Sequence, residues 1–284
     1  MAVYYYIYKI GLLRFLLLSN GFSPAQTSYA VITIVAAAVC IISGYLLGGL
    51  NFAIILSKKK FGVDVRDFGS GNAGSTNMLR TFGKKAGAIT LAGDAGKAII
   101  ACLIGCLLLG LLGAYIAGLF SVLGHMFPIK YKFKGGKGVA CTAAVILMTT
   151  AGNPYFLFVP IVFLIALVCF IVIVAGTKYV SLASIMSVAI YPLILNAFIS
   201  IARGLSYANI DPENPQELSH WLLLHSEDGF FFVIALIIAI FVVFMHRENI
   251  KRLWNKKENK FSFHSKKTLY EEKNAPENET DANK

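Results

Sequence analysis

Apolar runs separated by short polar stretches dominate this chain, and their lengths set the first expectations. A run from about Ala30 to Leu56 exceeds the roughly 20 residues that a helix needs to cross a bilayer. A second runs from about Ala86 to Ala114, interrupted near its start by Asp94 and Lys97. Tyr115 to Phe127 and Val139 to Thr150 are shorter, fitting half-length or tilted helices packed on protein. Tyr155 to Ala175 and Ser181 to Ser200 are ordinary spans joined by GTKYV, and Gly229 to Met245 is the last. Apolar runs of this length with so few charges are read as membrane helices.

Both ends read differently. Residues 1–29 are apolar and aromatic, but Lys9 and Arg14 sit inside the run rather than before it. That argues against a signal peptide and for an extension lying on the outer leaflet. Residues 30–255 hold the spans, and 256–284 form a polar tail expected to be disordered in the cytoplasm.

Composition supports the membrane reading: 57% of the 284 residues are hydrophobic and only 14% charged, too few charges for a soluble domain of this size. The distribution of the net charge of +11 gives the orientation. Lysines and arginines crowd 57–85, 129–138 and the stretch from Arg247 onward, whereas 203–228 carries Asp211, Glu213, Glu217, Glu227 and Asp228 against Arg203. The positive-inside rule puts the three basic segments in the cytoplasm and the acidic one outside. The expected architecture is therefore an all-α integral membrane protein of about seven transmembrane or half-length helices, N-terminus outside and C-terminus cytoplasmic. Cys40, Cys102, Cys106, Cys141 and Cys169 lie in apolar stretches without CxxC spacing and read as small core residues.

Three polar clusters fall on the basic face. The stretch DFGSGNAGSTNMLRTFGKK, Asp67 to Lys85, joins glycines to Ser70, Asn72, Ser75, Thr76, Asn77 and Arg80. Such a stretch suits an oxygen-rich anion such as phosphate, although its composition also fits a plain wet loop. Lys134-Gly135-Gly136-Lys137-Gly138 pairs lysine charge with glycine amides; it is no nucleotide P-loop, because Gly138 stands where Ser or Thr would follow the lysine. His246 and Asn249, three apart beyond the last span, share one helix face, where the imidazole serves either a substrate or a headgroup. Asp94 and Lys97, one turn apart, pair with each other or reach back to the first loop. His125 sits at a turn and reads as structural; His220, His225 and His264 lie outside or in the tail. No H-x-x-x-x-D, G-x-S-x-G or HExxH is present.

In order, SGNAGSTNMLR at 70–80, Gly93-Asp94 with Lys97, GHMFP at 124–128, KGGKGVA at 134–140 and HRENIKR at 246–252 resemble the bacterial membrane glycerol-3-phosphate acyltransferases that use acyl phosphate as donor. The resemblance covers residues 30 to 255; Ala98 departs from a glycine often found there. It implies that the primary hydroxyl of glycerol 3-phosphate attacks a long-chain acyl phosphate, giving lysophosphatidic acid and phosphate. It also implies a cell-membrane enzyme with its site facing the cytoplasm, no cofactor, no metal and no nucleic acid. A soluble acyl-phosphate-producing enzyme is an expected partner, as is membrane lipid. The roles it implies are catalysis by Ser70, Arg80, His246 and Asn249. Substrate and phosphate binding fall to Asn72, Thr76, Asn77, Lys134, Gly135, Gly136, Lys137 and Gly138. The general base stays open between His246 and a donor phosphate oxygen; a covalent acyl-Ser70 intermediate is less favoured, because no base is visibly paired with that serine. A carrier for an anionic phosphorylated metabolite is the alternative reading.

Overall fold

The computed structural model describes residues 11–12, 26–151, 159–224, 228–261 and 270, and these form helices without a strand. In order the helices are α1 (Gln26–Gly48), α2 (Phe52–Phe61), α3 (Ser75–Phe82), α4 (Lys84–Met126) and α5 (Val139–Ala151). They continue with α6 (Val159–Thr177), α7 (Val180–Tyr207), α8 (Pro215–Leu224), α9 (Asp228–Met245) and α10 (Arg247–Trp254). Of residues 1–29, read as an outer-leaflet extension, 26–29 instead begin α1; the rest lie outside the described residues apart from positions 11 and 12, as does most of the tail beyond 261.

Among the described residues, four stretches are long and apolar enough to cross a membrane: Ala30–Phe61, Lys84–Tyr131, Val180–Tyr207 and Asp228–Met245. Val139–Thr150 and Ile161–Thr177 are shorter apolar helices. The outward side chains are themselves apolar; Ile34, Leu46, Val172, Leu193, Phe230 and Ile240 are all mostly exposed. Such a surface is stable against lipid rather than water.

Two expectations about the spans are corrected. The first run breaks at Gly49–Asn51, where Asn51 caps α2 by accepting the N–H of Ile54 at 3.1 Å. A hydropathy reading misses this break because the flanking residues are apolar. The second and third runs do not part at Ala114 and Tyr115. At 43 residues, a straight α4 would be about 65 Å long, twice the apolar thickness of a bilayer. It instead reverses at Leu109 and Gly110, where Gly110 takes φ 63 and ψ −145, a conformation open to glycine. The two arms pack against each other: Asp94 and Lys97 of the first meet His125 of the second. Small residues at Gly44, Gly48 and Gly124 let α1 lie close against the second arm.

The core lies between the arms of α4 and helices α5, α7 and α9, built from residues such as Tyr115, Val122, Cys141, Val145, Tyr191, Ile238 and Val242. Tyr115 stacks on Phe231 with centroids 4.7 Å apart. The acidic segment read as a loop holds helix α8.

Asp94 is the polar centre of this frame. Its Oδ1 lies 2.8 Å from Lys97 Nζ and accepts the Phe52 N–H at 3.4 Å, while Lys97 donates to the Leu50 carbonyl at 2.7 Å. The charged pair thus satisfies the backbone freed where α1 ends and α2 begins. Asp94→Asn leaves Lys97 buried and unbalanced, and is expected to cost about 3–5 kcal/mol of stability. Thermal unfolding in detergent checks this: an unchanged Tm would contradict a structural role for the pair.

Candidate active site

The polar clusters converge at one end of the bundle, and each is held by identifiable backbone contacts. The first loop is braced by Asn77. Its Oδ1 accepts the Ser70 N–H at 3.0 Å, and its Nδ2 donates to the carbonyls of Val65 and Phe68, each at 3.0 Å. Asn51 reaches across and donates to Ala73 O at 3.3 Å. Arg66 is clamped by Asp64, at 2.9 and 2.8 Å, and donates to the Lys134 carbonyl at 3.1 Å, joining the first loop to the second. The hydrogen bond from Arg66 is the largest cause holding the Asp64 carboxyl down to about 2, so this clamp is fully ionised at neutral pH.

The second loop closes the C-terminal end of α4. Gly135 N–H donates to Met126 O and Gly136 N–H to His125 O, both at 3.1 Å. A Cβ at Gly136 would run into the His125 ring and sit 2.6 Å from Ala73 O, so only glycine fits where the loops meet. The amides of Gly135 and Gly136, expected to cradle an anion, are therefore spent on the fold. The N–H groups of Lys137 and Gly138 have no protein acceptor among the described residues, and they lie where α5 begins, the positive end of a helix dipole. Gly135 and Gly136 thus contribute a tight fit rather than donors.

The third cluster lies where α9 gives way to α10. His246 is buried, and its Nδ1 lies 2.7 Å from Val242 O. A carbonyl only accepts, so Nδ1 carries the proton and Nε2 is left as a lone-pair acceptor. Burial first, and then the Lys137 charge, push the imidazolium down to about 4, so the ring is neutral at physiological pH. Lys137 donates to Asn249 Oδ1, and Asn249 Nδ2 donates to Glu258 Oε1 at 2.8 Å. Glu258 also accepts from Ser181 at 3.0 Å and from Arg252 at 2.8 Å. Burial opposes ionisation of Glu258, but the hydrogen bonds from Arg252, Asn249 and Ser181 outweigh it and keep the carboxyl below its ordinary value.

Glu258 lies in the segment read as a disordered tail. Residues 255–261 instead fold back, and Phe261 N–H donates to Lys178 O at 2.7 Å. One acidic residue in a basic stretch, NKKENK, was the only available signal. Asn51 and Ser181, hidden in apolar runs, gave none.

Arg80 completes the site. Its guanidinium is half-buried, has no hydrogen-bond or ion-pair partner among the described residues, and feels Glu258, Arg252 and Lys137. Burial holds its pKa below the ordinary arginine value, yet it stays charged. Among the described residues, Arg80, Lys137 and Arg252 thus share a single carboxylate, Glu258, which leaves positive charge in excess around a neutral imidazole. The Ser70 hydroxyl is exposed, and Asn72 and Thr76 are half-buried; none of the three side chains has a protein hydrogen-bond partner among the described residues. Lys134 is exposed at the rim. Of the predicted residues, Ser70, Asn72, Thr76, Arg80, Lys137 and His246 keep side-chain groups available, Gly138 a backbone N–H, and Lys134 stands at the rim. Asn77, Gly135 and Gly136 hold the loops, and Asn249, expected to be catalytic, has both amide atoms bonded to Lys137 and Glu258.

This arrangement defines a polytopic helical membrane protein whose polar clusters gather excess positive charge at one end of the bundle. Residues 38–256 match the glycerol-3-phosphate acyltransferase family. The chain is 34% identical over 223 residues to a Bacillus subtilis (strain 168) glycerol-3-phosphate acyltransferase, covering 78% of this chain and 96% of that protein. It is 38% identical over 225 residues to one from Thermoanaerobacter pseudethanolicus, covering 79% and 92%. Its fold is similar to the crystal structure of PlsY (YgiH), an integral membrane glycerol 3-phosphate acyltransferase, in its glycerol 3-phosphate form. That similarity has a TM-score of 0.60 at 32% identity, over 80% of this chain and 96% of that one. The lysophosphatidic acid form gives a TM-score of 0.59. The chain belongs to the glycerol-3-phosphate acyltransferase family, and it is an acyltransferase.

Proposed function

We propose that this enzyme moves a long-chain acyl group from acyl phosphate to the primary hydroxyl of glycerol 3-phosphate at the cytoplasmic face of the cell membrane, releasing lysophosphatidic acid and inorganic phosphate. The observation that carries the reading is the unmatched positive charge of Arg80, Lys137 and Arg252 around one carboxylate, beside a neutral histidine with a free Nε2. Both substrates bring phosphate, which that charge attracts, and one brings an acyl tail that belongs among apolar helices. The hydroxyl oxygen attacks the acyl carbonyl carbon, the bond from that carbon to the phosphate oxygen breaks, and phosphate leaves with its electron pair. Phosphate departs readily, so what the protein supplies is positioning and charge. Arg80 and Lys137 hold phosphate oxygens, the α5 N-terminus faces one of them, and Ser70, Asn72 and Thr76 orient the acceptor. We assign the hydroxyl proton to Nε2 of His246, because its Nδ1 is already committed to Val242 O. A phosphate dianion bound alongside raises the basicity of the ring from its value in the empty site.

The unit of the test is the donor. Purified protein given glycerol 3-phosphate with either palmitoyl phosphate or palmitoyl-coenzyme A should form lysophosphatidic acid from the first and not from the second. Product from the coenzyme A ester alone would overturn the donor assignment.

Lys137 gives a pH prediction. Burial pulls its ammonium down to about 8, so it is charged below that value and loses its proton as pH rises through it. kcat/KM is expected to fall above about pH 8, and the limb should vanish from this range in Lys137→Arg, whose guanidinium stays charged. An unchanged alkaline limb in that variant would remove Lys137 as its source.

A further inference from the structure

Helix α10 has two faces with different fates. The inner face carries Asn249, buried and bonded to Lys137 and Glu258. The outer face carries Arg247, Ile250, Lys251 and Trp254, spaced by three and four residues and so aligned in one stripe. Trp254 is 87% exposed, the highest value among the exposed large hydrophobic side chains. The stripe prolongs that of α9, where Ile240 and Phe244 are exposed while Ile238 and Val242 on the other side enter the core. Arg247 is drawn back over the Phe244 ring at 4.8 Å, as a cation does beside a lipid-facing aromatic. Glu248 is the one acid on this helix, 3.3 Å from Lys251, and exposed Lys256 and Lys257 follow. The surface therefore combines an excess of positive charge with an indole and an isoleucine left in the open. The loop after α4 repeats this chemistry: Ile129 and Phe133 are exposed beside Lys130, Lys132 and Lys134.

We propose that the outer face of α10 docks on the anionic lipid surface of the adjoining leaflet. Trp254 and Ile250 seat among the headgroups, and Arg247 and Lys251 pair with lipid phosphates. The occupant follows from two facts: the stripe continues a lipid-facing one, and its charge is opposite to that of anionic lipid. Docking fixes the helix whose inner face presents His246 and Asn249 to the site, so lipid charge tunes catalysis. That last consequence rests on the active-site reading above; the docking does not.

The two tryptophans make the test direct, because Trp221→Phe leaves Trp254 as the sole indole. This protein is placed in nanodiscs of phosphatidylcholine, with or without phosphatidylglycerol, and with acyl chains brominated near the headgroup. The expected result is blue-shifted Trp254 emission, quenching by brominated lipid, and weaker acrylamide quenching once phosphatidylglycerol is present. Each basic side chain at an anionic surface strengthens association roughly fivefold. R247Q/K251Q should therefore lose the phosphatidylglycerol dependence of both the emission and the turnover. Water-like emission, freely quenched by acrylamide in both lipid mixtures, would overturn the proposal. Protection that arises only when a soluble protein is added would overturn it too, assigning the face to that protein. The fluorescence arm needs no activity, so its outcome is separable from any failure of the acyl-transfer reading.

Discussion

Arg80→Ala is expected to lower kcat/KM by on the order of a thousandfold while leaving thermal unfolding unchanged. The two halves of the expectation have one physical origin. The guanidinium has no protein partner among the described residues, so removing it costs the fold no hydrogen bond, and it relieves repulsion from Arg252 and Lys137. A phosphate bound there loses a charge-assisted contact in a partly desolvated place, where such contacts are strongest. Lysine restores charge but not the planar fork, so Arg80→Lys should recover only part of the loss. Steady-state kinetics beside calorimetric unfolding separate the cases. A variant that melts early with near-normal kcat/KM would make Arg80 a structural residue.

His246→Gln should reduce kcat by about 10²- to 10⁴-fold with little change in KM for glycerol 3-phosphate. Glutamine keeps a side-chain amide that can donate to Val242 O, so the local packing at the top of α10 survives while the proton acceptor is lost. The pH profile supplies a second readout. The folded value of about 4 lies below the ordinary 6.5, so the ring protonates, and stops accepting, only as pH falls through about 4. His246 should then add no limb near 6.5 to kcat/KM, and any acid limb at about 6, from the second ionisation of the substrate phosphates, should persist unchanged in His246→Gln. A change confined to KM, or full kcat in the glutamine variant, would move the proton to a donor phosphate oxygen and leave His246 as a binding residue.

How far the fold was legible follows from what each signal measures. Hydropathy finds apolar length, and the spans, their helical character and the gathering of basic segments at one end are all consequences of apolar length and charge. It is blind to breaks that leave hydrophobicity unchanged. Gly49–Asn51 interrupts α1 and α2, and Leu109–Gly110 folds α4 back on itself, within runs that stay apolar throughout. The site was legible as a set of polar residues but not as a division of labour. Spacing marked Asn77, Gly135 and Gly136 as readily as Arg80 and Lys137, yet only the folded path of each loop shows that the first three are occupied by the fold. Glu258 was missed for the converse reason. A short polar segment with few apolar residues reads as disordered until Arg252, Asn249 and Ser181 supply the partners that hold it. Asp94 and Lys97 were visible as charges at membrane depth; that they satisfy Leu50 and Phe52, and so hold the break between α1 and α2, depended on a chain break that sequence did not disclose.

The most direct test of the account is phosphate release by the purified enzyme in detergent, given palmitoyl phosphate with and without glycerol 3-phosphate. Release should require the acceptor, match lysophosphatidic acid mole for mole, and fall by on the order of a thousandfold in Arg80→Ala. Release of the same size without glycerol 3-phosphate, or none from well-folded protein with both substrates present, would contradict it.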